Sequence, residues 1–344
     1  MEEKGKKGRM DYTLLLIVVL LVMIGLVILY STSAYNGQVK FHDSFYYLKK
    51  QAFATVLGIV LMLFVAGMDY HIWQRLAVFG YLAAVALSVA VMLFGREING
   101  SKRWLALGPF SFQPSEFAKV ALILFLADLV TKNVKTIGKM WTLCRIMFWI
   151  LPIVGLVGAS NLSTAIIILG IGVILIFVAS PKYAQFALMG IAGACFMGIF
   201  LALESYRLER LAIWRNPEKY EKGYQTLQGL YAIGSGGVFG VGIGNSVQKL
   251  GFVPEAQNDM IFSIICEELG LAGAGIIVFL FLLLIWRFFL IASESRDLFG
   301  ALIATGAMAH MMIQVILNIA VVTNTIPNTG ITLPWRNIGD VSFN

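Results

Sequence analysis

Long uncharged apolar runs alternate with short polar stretches along the chain. Such runs lie at residues 14–29, 51–68, 76–95, 146–181, 183–203, 269–286 and 298–335. A spanning helix needs about 20 mostly apolar residues. The 146–181 run is too long for one span, and GASNLST at 158–164 divides it in two. A further span is expected at 112–131, although Glu116, Lys119 and Asp128 fall inside it. The pattern therefore predicts nine transmembrane helices in an all-α polytopic bundle, one domain over 1–344, with no internal repeat. Residues 204–258 form its one large outer loop, and 335–344 a short tail.

Composition strengthens this picture. Of 344 residues, 59% are hydrophobic and 13% charged, with mean hydropathy +0.82; soluble domains carry about 25% charged residues. The net charge of +7 reflects loops, not a basic-aromatic patch for nucleic acid, so no nucleic-acid partner is expected. Inner segments are denser in Lys and Arg than outer ones when the N-terminus is cytoplasmic, which favours that orientation. The basic start followed by residues 14–29 has the form of a secretory signal. STSAY is a poor cleavage site and more spans follow, so a retained first helix is the simpler reading. The three cysteines and three histidines have no disulfide or metal-ligand spacing.

Ionisable groups near mid-bilayer cost roughly 3 kcal/mol and mark candidate sites. Glu116 and Lys119 stand three apart at a helix start marked by Pro114, where they either brace helices as an ion pair or wall a charged cavity. His310, Gln314 and Asn318 make one helical stripe, fit for interhelical hydrogen bonds or a cavity lining. Asp259 sits at the outer edge of a span, either as an N-cap or as a general base. Whether it shares a helix with 269–286 is open: one helix over 260–288 would be about 43 Å long. The outer loops carry Arg96, Lys102, Arg103, Arg207, Arg210, Arg215, Lys219, Lys222 and Lys249, read either as a headgroup-facing surface or as a surface for an anionic substrate. The glycine-rich stretch ending at Lys249 suits a phosphate cradle or close backbone packing equally.

Four stretches then carry a resemblance. NGSKRWLALGPFSFQPSEFAK, GYQTLQGLYAIGSGGVFGVGIGNSVQKLGFVPEAQNDMIF, EELGLAG and NTIPNTGITLP occur in that order. They resemble the SEDS (shape, elongation, division and sporulation) proteins FtsW, RodA and SpoVE, from about residue 12 to Pro334. NSVQKLGFVPEAQNDMIF is more similar to the division and sporulation branch. The resemblance implies a peptidoglycan glycosyltransferase of the bacterial cytoplasmic membrane that polymerises lipid II outside the membrane, releases undecaprenyl pyrophosphate with inversion, and works with a penicillin-binding transpeptidase and other division proteins. It implies Asp259 as the catalytic residue and puts Arg103, Glu116, Lys119, Gln228, Lys249, Gln314 and Asn318 on family motif positions, expected to bind the undecaprenyl-linked substrates. A divalent cation, Mg2+ or Mn2+, would share the charge on the diphosphate, though no ligand cluster predicts one. Two departures stand out: Asn161 replaces a common acidic residue, and WRNIGDVSFN stands where the family continues into a tenth helix, so the C-terminus is expected outside. A lipid-linked sugar flippase and a non-catalytic division scaffold are the alternative readings.

Overall fold

The computed structural model describes residues 10–98, 101–107, 110–187, 190–191, 211–254, 256–328 and 330–334. Within them run α1 (Tyr12–Phe41), α2 (Tyr46–Ala66), α3 (His71–Phe94), β1 (Arg96–Ile98), β2 (Ser101–Leu107), β3 (Phe110–Phe112), α4 (Pro114–Asn133), α5 (Met140–Ser160), α6 (Leu162–Ala179), α7 (Tyr224–Ser235), α8 (Ile261–Ser293) and α9 (Leu298–Val322). The strands form a small antiparallel sheet, β1-β2-β3, a feature the apolar pattern did not predict. Among the described residues seven helices are long and apolar enough to cross a membrane: α1, α2, α3, α5, α6, α8 and α9. The span expected at 183–203 falls mostly outside the described residues, as does the tail 335–344.

The segment with the poorest apolar signal is a central column. Helix α4 buries Ala118, Leu122, Leu126 and Val130 completely against α3, α5, α6 and α9. Its charges are matched: Lys119 pairs with Glu116 (2.8 Å), and Asp128 accepts from Lys132 (2.6 Å) and Gln74 (3.0 Å). Surrounded by protein rather than lipid, α4 tolerates polarity that a lipid-facing helix would not. Helix α2 is the opposite case. It packs chiefly on α1, and only Ala54 and Thr55 are buried.

Two polar ties set the depth of the bundle. At one end Arg287 Nε of α8 donates to Asp11 Oδ2 at the start of α1 (2.8 Å). At the other, Ser31 of α1 donates to both carboxylate oxygens of Glu268 (2.7 Å each). From Asp11 to Ser31, α1 rises about 30 Å, one hydrocarbon thickness. The ties therefore bracket the apolar core, and Ser31, Glu268 and the β-sheet mark its distal end.

Helix α8 is broken at Gly270, whose backbone (φ 68, ψ −173) is left-handed and non-helical. In an unbroken helix Leu271 N–H would donate to Glu267 C=O, and Ala272 N–H to Glu268 C=O. Instead Leu271 and Ala272 donate to Gly237 O (3.0 Å) and Val238 O (2.9 Å), while Val241 and Gly242 N–H donate to Glu267 O (2.9 Å) and Glu268 O (3.0 Å). The glycine-rich loop is thus inserted into the helix break and satisfies backbone groups that would otherwise be orphaned in a dry setting. Close approach needs glycine on both sides. A Cβ on Gly270 would meet Gly240 N at 2.3 Å, and one on Gly240 would meet Glu268 O at 2.2 Å. Of the two readings of this loop, close backbone packing is the one realised.

Candidate active site

Asp259 precedes α8 without capping it. Met260 is the N-cap and there is no side-chain cap bond, so the N-cap reading of Asp259 is corrected. Its main-chain carbonyl accepts from Asn318 Nδ2 (2.9 Å), which also reaches Ile331 O (2.6 Å). This bond settles the direction of the broken helix. Asn318 lies about 30 Å up α9 from Leu298, and Gly270 about 35 Å up α8 from Ser293, at 1.5 Å per residue. A straight α8 would lift Asp259 about 16 Å beyond Gly270, out of Asn318's reach. Residues 261–269 therefore fold back toward the bundle, as a separate short segment. Asp259 is partly buried and recessed slightly below the distal end.

Its side chain meets Gln225 of α7 and lies against the chain at Gly330. Gln225 Nε2, at the start of α7, donates to Asp259 Oδ1 and Pro254 O (3.3 Å each). Gln225 Oε1 accepts from Asn328 Nδ2 (3.3 Å). A Cβ built on Gly330 (φ 66) lies 3.8 Å from Asp259 Oδ2, so residues 330–332 close one wall. That segment is anchored through α9: Gln314 Nε2 donates to Thr332 O (3.0 Å). Gln314 Oε1 in turn accepts from Lys119 Nζ (3.5 Å), which also pairs with Glu116. A continuous polar seam runs from Asp259 through Asn318, Gln314 and Lys119 to Glu116.

Arg103 stands at the outer end of this seam. Half-buried on β2, it donates from Nε to Ser160 O (3.2 Å). It lines a small cavity with Ser88, Ser115, Ser160 and Asn161. Asn161 is the N-cap of α6 and accepts from Thr164 N–H (3.2 Å), a role an acidic residue would fill equally well.

Not every expected site residue joins the seam. Lys249 is buried, with 7% of its side chain exposed, and donates to Glu268 (2.6 Å) and Ser31 (2.9 Å). Its charge is neutralised in a structural brace, which corrects its expected role as a substrate cation. Gln228 is half-buried, but it is Gln225, one turn earlier, that reaches Asp259. His310 of the α9 stripe leaves Nε2 without a hydrogen-bond partner among the described residues. Arg207 and Arg210 lie outside the described residues. Sequence reasoning missed Gln225 and Asn328. Both lie in the quoted motifs, but a neutral amide gives no charge or ligand signal.

Among the described residues no three His, Cys, Asp or Glu side chains converge as a metal site. Mg2+ favours octahedral oxygen ligands and usually keeps waters and substrate phosphates. Among the described residues Asp259 would be one protein ligand at most, so they do not form a resident site.

The fold and this seam define a polytopic membrane protein with a recessed carboxylate at one end of its bundle. The profile of the FtsW/RodA/SpoVE "Cell cycle protein" family matches residues 12–343, and the chain belongs to that family. It is 39% identical to stage V sporulation protein E of Bacillus subtilis, covering 98% of this chain and 94% of that one. It is 34% identical to a probable peptidoglycan glycosyltransferase FtsW of Trichlorobacter lovleyi, covering 97% and 89%. A solved structure described as coordinating polymerization and crosslinking in a peptidoglycan synthase complex superposes with TM-score 0.82 at 28% identity over 96% of this chain and 92% of that one. RodA of Thermus thermophilus superposes with TM-score 0.69 at 26% identity, covering 97% and 92%.

Proposed function

We propose that this chain is a peptidoglycan glycosyltransferase that polymerises lipid II at the outer face of the bacterial cytoplasmic membrane, in division or sporulation wall synthesis. The N-terminus is cytoplasmic, so the distal end faces outward. The observation that carries this reading is the Asp259 carboxylate, recessed beside the polar seam at the level where a membrane-anchored sugar diphosphate would present its reacting bond.

In this reading the 4-hydroxyl of the acceptor sugar attacks the anomeric carbon at the reducing end of the growing chain. The C–O bond to the diphosphate breaks, and undecaprenyl diphosphate leaves with the electron pair. Asp259 takes the hydroxyl proton as the new glycosidic bond forms with inversion. The leaving group is a stable anion and needs positive potential more than a general acid. Arg103 supplies it at the mouth. Lys119, buried and held by Glu116 and Gln314, contributes from below while fixing α4 against α9. Their mutual closure also speaks against the transport reading, which needs these groups to line a path. A crosslinking transpeptidase is the expected partner.

The test is Asp259→Asn in the full chain, purified with its transpeptidase partner and given lipid II. Loss of glycan polymer with unchanged thermal stability is expected. Undiminished polymerisation would reject the role.

A further inference from the structure

The segment from Gly223 to Gln248 contains no charged residue, and the next, Lys249, is buried and paired with Glu268. Yet its loop is strongly exposed. Phe239 is 84% accessible, Ile243 59%, Val238 58% and Val247 56%. A water-facing loop of this kind would expose an apolar patch with no charged rim. Its depth is fixed by the backbone clasp, which ties 237–242 to α8 at Glu267, Glu268, Leu271 and Ala272. Leu271 lies about 24 Å along α8 from Arg287, which marks the opposite boundary. The hydrocarbon core is about 30 Å thick. The loop tip therefore sits in the last few ångströms of the core, at the distal leaflet.

We infer that the 238–243 loop is a membrane-interface anchor whose apolar tip is embedded in the lipid of the distal leaflet. Its occupant is the acyl region just beneath the headgroups. Phe239, Val238 and Ile243 meet the chains, and the neighbouring exposed Tyr231 suits the interfacial zone. The same clasp that sets the loop in the leaflet holds Glu267 and Glu268, and through them the folded-back segment that leads to Asp259.

The experiment places the photoreactive residue p-benzoylphenylalanine at Phe239 in the full chain, in native membranes, and identifies adducts by mass. Tyr220 serves as the control, because it is exposed among Glu218, Lys219, Glu221 and Lys222 outside the apolar band. Several-fold more phospholipid adduct at 239 than at 220 is expected. Equal lipid labelling at both positions overturns the inference, and so does a protein adduct at 239. No lipid adduct at 239 overturns it too, provided doxyl groups near the top of the acyl chains also fail to quench an environment-sensitive dye at that position.

Discussion

Replacing Gly270 by alanine tests the broken helix most directly. The residue has φ 68, and an added Cβ would lie 2.3 Å from Gly240 N, 2.4 Å from Val238 O and 2.6 Å from Phe239 N. All three are backbone atoms that cannot rotate away. The loop must withdraw, and the four clasp bonds from Leu271, Ala272, Val241 and Gly242 N–H are lost or lengthened. At a net value of roughly 1 kcal/mol each, with about 1–3 kcal/mol for a non-glycine residue in that conformation, the loss is about 5–7 kcal/mol. Gly275, farther along the same helix, is the control. A Cβ there meets nothing within 4 Å, so Gly275→Ala is expected to be neutral or mildly stabilising. Thermal denaturation of the purified chain gives the energetic readout. A local readout comes from Cys266, which is 6% exposed and whose carbonyl lies under Gly236 in the clasp. Maleimide labelling, mapped by peptide mass and referenced to exposed Cys144, should rise at Cys266 in Gly270→Ala and not in Gly275→Ala. A Gly270→Ala chain as stable as the parent, with Cys266 equally protected, would refute the clasp.

Further outcomes follow from other contacts. Lys249→Met leaves Glu268 buried without its counter-charge and should cost about 3–5 kcal/mol; adding Glu268→Gln should restore most of it, and a harmless single substitution would contradict the brace. Tyr70, in the α2–α3 turn, donates to Asp297, the N-cap of α9. Partial burial and this bond push the Tyr70 hydroxyl up to about 12. Burial of Asp297 acts to raise its carboxyl, but bonds from Tyr70 and the Gly300 N–H outweigh it and hold the carboxyl below its ordinary value. The raised tyrosine contributes stability that is complete below pH 10 and lost as pH rises through about 12; the lowered aspartate contributes above about pH 4 and is lost in acid. The melting-temperature gap between parent and Tyr70→Phe should therefore be present at pH 9 and close above pH 10; a gap that widens in alkali would contradict this. Asn161→Asp should change stability by no more than about 1 kcal/mol, since either side chain caps α6; unfolding of that variant would mean the site is more than a cap.

Most of the membrane architecture is legible as apolar runs. Residues 51–68, 76–95 and 298–335 each contain most of an observed helix, offset by a few residues at the polar ends. The expected ion pair at Glu116 and Lys119 is realised, and the α9 stripe binds between elements through Gln314 and Asn318. The break at Gly270 was not legible. Glycine in an apolar run looks the same whether it is lipid-facing, as at Gly275, or clasped in a left-handed turn, as at Gly270. Lys249 was misjudged for a related reason. A lysine beside a glycine-rich loop reads as an anion site until Glu268, nineteen residues on, is seen to fold back onto it. The 204–258 loop was expected by length alone, and its inner order, a helix packed on the re-entrant segment, follows from long-range contacts that spacing does not encode.

The carboxylates of this bundle differ in how they are held. Glu116, Asp128 and Glu268 each meet a lysine at 2.6–2.8 Å. Such charge-assisted bonds fix the side chain. Asp259 is fixed differently. Asn318 grips its main-chain carbonyl, so the residue is located without engaging the carboxylate. The contact from Gln225 is neutral and, at 3.3 Å, longer than a charge-assisted bond. It turns Oδ1 toward the start of α7. In the proposed reaction the base must accept a proton and release it again in every cycle, and a residue held through its own main-chain carbonyl keeps its position in both states of the side chain. Location through the main chain is thus a physical feature that suits Asp259 to the role proposed for it.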